Sequence, residues 1–82
     1  MAIVIKENSD TYKLTDMSLE SLQKAVGGNI ELVYNNVRTR CLVNEDGIGL
    51  NLAVNKIASI LMGQMLIGPV IVLAEHEFRE TE

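Results

Sequence analysis

This chain has one cysteine, Cys41, one histidine, His76, one proline, Pro69, and no tryptophan. Each scarcity removes a class of explanation. A lone cysteine rules out a disulfide framework, and Cys41 with His76 is too small a set for a thiolate zinc site. A single unpaired thiol suits a reducing cytoplasm. Positive charge is also thin: seven Lys and Arg stand against eleven Asp and Glu, for a net charge of −4. The segment 75–82, EHEFRETE, carries −3 of this, which leaves residues 1–74 with six basic and seven acidic side chains. A body so nearly neutral lacks the basic face that coats DNA. Amino-terminal residues MAIVIKENSD carry no basic stretch followed by a long apolar run, so no signal peptide is expected.

What is present suits one folded domain. The 82 residues are 48% apolar and 22% charged, the balance of a globular protein rather than a disordered one. A chain this short buries roughly 60% of its unfolded surface, which makes self-association a reasonable expectation. The run from Ile57 to Ala74 holds no charge, but Gly63, Gln64 and Gly68-Pro69 interrupt it. It reads as a helix followed by a buried strand and not as a membrane span.

Periodicity supplies the elements. Ala2–Ile5 is a short β-type run, Glu7–Asp10 a turn, and Thr11–Leu14 a second strand or an extended lead-in. Ser18 caps a helix whose face is Leu19, Leu22 and Val26, and Gly27-Gly28 ends it. Asn29–Tyr34 and Val37–Val43 alternate in polarity, with Asn35-Asn36 expected as a two-residue hairpin turn. Asn44-Glu45-Asp46-Gly47 is a strong turn. Asn55 caps a second helix, Lys56–Met62, closed by Gly63, with Ile57, Ile60 and Leu61 expected as its buried stripe. Met65–Ala74 is the last and most apolar strand, expected at the centre of the sheet. The predicted fold is α+β, in the order β-(β)-α-β-β-α-β: a mostly antiparallel sheet of four to five strands with both short helices on one face. Residues 1–74 form the domain and 75–82 an acidic tail.

No catalytic set emerges. His76 lies in the acidic tail, and Cys41 on an apolar strand face reads as a small buried hydrophobe. Glu45 and Asp46 are adjacent carboxylates, but a single turn lacks the spaced oxygens of a calcium loop. Neither a metal nor a cofactor is expected, and the chain does not read as an enzyme. Two sets of polar residues stand out. Arg38 and Arg40 share a strand face about 7 Å apart, a spacing at which two guanidiniums can grip a phosphate; the plainer reading is a solvated strand face opposite Glu31. The side-chain amides Asn35, Asn36, Asn44, Asn51, Asn55 and Gln64 can read the edges of a base or ribose, although several already serve in caps and turns, Asn55 as a helix cap.

Together LQKAVGGNIELV (22–33), LVNEDGIGLNLAVNKIAS (42–59) and LIGPVIVL (66–73) resemble a small domain of unknown function, family 3846, found in bacteriophages and bacteria. The resemblance rests on Leu22, Gln23, Val26, Gly27, Gly28, Ile30, Glu31, Asn44, Glu45, Gly47, Asn55, Ile67 and Gly68. The YNNVRTR segment is shorter than the family pattern, and Pro69 replaces its usual β-branched residue. The resemblance implies a viral origin and an α+β fold but names no activity. By analogy with other small phage proteins, the expectation is a non-enzymatic homo-oligomer of the host cytoplasm. It would sequester a small anionic nucleotide-type signal of antiviral defence, with Arg38 and Arg40 on phosphate and Asn44, Glu45 and Asn55 on base or ribose. The alternative is an interaction module that docks on a host protein and inhibits it.

Overall fold

The computed structural model describes residues 2–35 and 39–73. Seven elements follow in chain order: β1 (Ala2–Ile5), β2 (Thr11–Leu14), α1 (Leu19–Val26), β3 (Ile30–Tyr34), β4 (Arg40–Asn44), α2 (Lys56–Met62) and β5 (Val70–Leu73). The strands make one sheet in the spatial order β2-β1-β5-β4-β3, with every neighbour antiparallel. The α+β class and the element order are those expected, and β5 holds the centre. Its sequence, VIVL, explains why: β-branched and apolar residues fill both faces, and Val70 and Ile71 are wholly buried.

The two helices lie on opposite faces of the sheet, not on one. Alternation along β4 sends Leu42 to one side and Cys41 and Val43 to the other. Leu42 joins Val4, Ile71 and Val26 of α1 in one core cluster. Cys41 and Val43 join Ile5, Val70 and the α2 residues Ala58 and Met62 in a second. The reason is the two-sided apolar character of β1, β4 and β5. A sheet with two apolar faces needs a cover on each, and helices on one side would leave Cys41, Val43 and Val70 in water.

Local details differ from expectation where tertiary contacts act. Strand pairing brings Tyr34 opposite Arg40 across the β3–β4 connection, and the two-residue turn expected at Asn35-Asn36 includes Asn36, which lies outside the described residues. Asn35 closes the connection: its N–H donates to Thr39 O at 3.2 Å, and its Oδ1 accepts from Thr39 N at 3.0 Å. The last strand starts at Val70 and not at Met65, because Gly68 takes a left-handed φ of 84° and Pro69 has no ladder donor. In α1, Val26 is buried and Leu22 packs on the core, while Leu19 remains 60% exposed.

Candidate interaction surface

Side-chain amides and glycines of the family-like sequence pattern form joints of the frame. Asn44 ends β4 and is buried. Its Nδ2 donates to Val26 O at 3.0 Å, at the carboxyl end of α1, and its Oδ1 accepts from Asp46 N at 2.8 Å. Gly27 caps α1 with a φ of 81°, and a methyl group on Gly28 would stand 3.0 Å from Asn44 Nδ2. The VGG and NEDG stretches therefore meet in space, one shaped to admit the amide of the other. A surface relay continues the joint: Gln23 Nε2 donates to Asn29 Oδ1 at 3.2 Å, and Asn29 Nδ2 to Glu45 Oε1 at 3.3 Å.

Asn55 makes the second joint. Its Oδ1 accepts from Ala58 N at 3.1 Å as the cap of α2, as its position predicted. Its Nδ2 also donates to Ile5 O at 2.8 Å and Gly68 O at 2.9 Å. One amide thus ties the start of α2 to the ends of β1 and β5.

The five candidate ligand residues do not gather at one site. Asn44 and Asn55 are buried with their amides committed to backbone partners. Arg40 lies four residues from Asn44 along β4, about 13 Å by strand rise, on the sheet face that carries Leu42. Arg38 lies outside the described residues. Asn44 and Glu45 border a common cavity of about 360 Å³ on the opposite face, and among the described residues Arg40 and Asn55 do not line it. Its polar wall is acidic, with Glu31, Glu45 and Asp46, completed by Gln64, and among the described residues no Lys or Arg lines it. Three carboxylates around one cavity disfavour phosphate and favour a cation or a hydrogen-bond donor. Among the described residues no cluster of three His, Cys, Asp or Glu is arranged to hold a metal ion. Cys41 is buried, and burial pushes its thiol up to about 11, so it is held as the weakly reactive protonated form.

The more informative feature is α2 itself. Its sequence, KIASILM, has one charge, Lys56, and one other polar residue, Ser59, whose hydroxyl bonds the Leu66 backbone; the other five residues are apolar. So apolar a helix is ordinarily buried on most sides. Here only Ala58 and Met62 face the core, and the stripe expected to be buried faces water: Ile57 is 43%, Ile60 82% and Leu61 46% exposed. Asn55 sets this rotation. With its amide clamped between two carbonyls, Ala58 and Met62 turn inward, and the small Ala58 lets the helix approach the sheet. Val54 and Met65 extend the apolar surface around a shallow groove that also contains Ile60, Lys56 and Gln64. Met65 and Gln64 also line the acidic cavity, so groove and cavity are neighbours, with Ile48 on the cavity's far rim at 81% exposed. The sequence held a signal for this surface. With only Lys56 and Ser59 polar, the helix carries more apolar surface than one sheet face can cover.

Among the described residues, no helix is long and apolar enough to cross a membrane. The family model described as "Domain of unknown function (DUF3846)" matches residues 1–82, and the chain belongs to that family. No curated protein matches it, and no solved structure does.

Proposed function

We propose that this member of the DUF3846 family acts by protein–protein contact and not by catalysis, through the exposed apolar side of α2. The observation that carries this reading is the inversion of that helix. Ile57, Ile60 and Leu61 point to water in a chain too small to waste apolar surface, and Val54 and Met65 enlarge the same patch. Contiguous exposed apolar surface rimmed by polar groups marks interaction sites. In this reading the protein works in the cytoplasm, as an unpaired cysteine suits. If it is encoded by a phage, as the family resemblance implies, the contact serves the phage in its host.

Sequestration of a nucleotide-derived signal ranks second. It rests on Arg38 and Arg40, and Arg40 lies on the sheet face away from the acidic cavity. Phosphate would meet carboxylates there, so the cavity lends this reading no support.

Site-specific photocrosslinking in cells tests the contact. A benzoylphenylalanine at Ile60 is expected to give a discrete protein adduct on irradiation, and the same group at exposed Lys13 on β2 none. Equal or absent adducts from the two positions would remove the reading.

A further inference from the structure

We propose that the exposed apolar side of α2 is the contact between two copies of this chain, related by a two-fold axis beside Ile60. That axis delivers Lys56 of each copy to the carboxylate-lined cavity of the other. The inference rests on the contact reading above and names the occupant of the surface.

A two-fold interface must be complementary to itself: whatever residue i meets, its symmetry mate meets in return. This surface meets that condition. Ile60 is its most exposed member, at 82%. Lys56 stands four residues before Ile60 and Gln64 four residues after it. A two-fold axis at Ile60 therefore exchanges the two positions and sets Lys56 of one copy beside Gln64 of the other. Gln64 lines the cavity that holds Glu31, Glu45 and Asp46, and among the described residues no basic side chain lines it. The Lys56 ammonium, on its flexible four-carbon stem, is the complementary charge. Between the two ion-pairing ends, Ile60 meets its equivalent on the axis, and Ile57, Leu61 and Met65 pack around that contact from both copies.

Area and net charge agree with this occupant. Ile48, Val54, Ile57, Ile60, Leu61 and Met65 together leave on the order of 700 Å² in water, close to the roughly 800 Å² that each partner gives a standard interface. With a net charge of −4, two copies repel through most of their surface. On this side Lys56 and the acidic cavity lie close together, so a two-fold contact here sets opposite charges against each other. An unrelated partner would have to bring its own cation, whereas a second copy already carries it in register.

Light scattering on the purified full chain reads the result. The wild type is expected at twice the 9.0 kDa chain mass. Ile60→Asp, at an exposed position that leaves the core untouched, is expected at the single-chain mass with an unchanged circular dichroism spectrum. Lys56→Glu should weaken the dimer by about tenfold or more, and Glu31→Lys with Glu45→Lys should do the same. Mixing these two weakened proteins should restore a heterodimer, because each then supplies the charge the other lacks. A wild type that stays monomeric at about 0.5 mM overturns the inference. So does a dimer that survives Ile60→Asp, or charge-reversed variants that fail to rescue one another. A monomer that still gives a discrete heterologous adduct from position 60 removes the second copy and leaves the contact reading standing. A monomer with no such adduct removes both.

Discussion

Asn55 shows how much one buried side chain can hold. It caps α2 through Oδ1 and satisfies the carbonyls of Ile5 and Gly68 through Nδ2, all at 2.8–3.1 Å. Removing it leaves a helix end uncapped and two buried acceptors short of a donor. Those losses together amount to about 3 kcal/mol or more for Asn55→Ala, measured as a shift in urea unfolding. Ser18→Ala, at an exposed cap of 3.3 Å on α1, should lose only about 0.5–1 kcal/mol. Asn55→Asp separates the two duties of the amide. It keeps the capping oxygen but sets a carboxylate against two carbonyls in a buried site, so its destabilisation at neutral pH should match or exceed that of Asn55→Ala. Burial raises the pKa of that carboxyl in the folded state, and the protonated form can donate to one carbonyl. The unfolded state then gives up its proton first as pH rises, so stability is greatest below about pH 4 and declines above it. An Asn55→Asp protein whose deficit against wild type stays constant from pH 4 to pH 8 would show that the two carbonyl bonds contribute little. The cap was legible in the sequence because an Asn before an apolar run is a local signal. The bond to Ile5 joins residues fifty apart, and no local pattern carries that.

Both helices have their expected ends, Ser18 and Gly27 for α1, Asn55 and Gly63 for α2, because caps are chosen by local backbone chemistry. Which side of each helix turns inward was legible for only one of them. LESLQKAV has Glu20 and Lys24 to mark its wet side, and Val26 and Leu22 duly face the sheet. KIASILM has only Lys56 and Ser59 as polar marks against five apolar residues, too narrow a polar flank for periodicity to set its rotation, and the tertiary anchor at Asn55 did. Truncation on either side of α2 tests that rotation. Met62 is 3% exposed and packs with Cys41, Val43 and Val70, so Met62→Ala should destabilise by about 2–4 kcal/mol. Ile60→Ala should change the monomer's stability by no more than about 0.5 kcal/mol, best measured at low protein concentration. Equal losses at the two positions would mean that α2 buries a different side. Helix placement was illegible for a related reason. Alternation along β1, β4 and β5 gives two apolar faces, and the strand sequences do not say which helix covers which. The family-like pattern turned out to be legible as architecture rather than chemistry: Gly28 and Asn44 lock α1 to β4, while Asn55 and Gly68 lock α2 to β5.

At the scale of the whole molecule, the fold leaves one face under-covered. Seven residues of α2 span about 10 Å, against principal extents of 33 × 28 × 21 Å for the molecule. The helix therefore covers part of one sheet face and then presents a second apolar side of its own. Burying an exposed Ile side chain gains about 1.5–3 kcal/mol. Several such side chains in a two-fold contact make assembly a large share of the few kcal/mol by which a domain this small is stable. Stability should then follow protein concentration by mass action, since anything that binds only the folded state raises its melting temperature. For the wild type, Tm should climb by about 3–5 °C for each tenfold rise in concentration and fall modestly with salt as the Lys56 contacts are screened. Ile60→Asp removes the contact without touching the core, so its Tm should be the same at every concentration and should equal the limit that the wild type approaches on dilution. A wild-type Tm that is flat with concentration, or an Ile60→Asp protein that melts well below the dilute wild type, would break the link between the apolar side of α2 and the stability of the assembled protein.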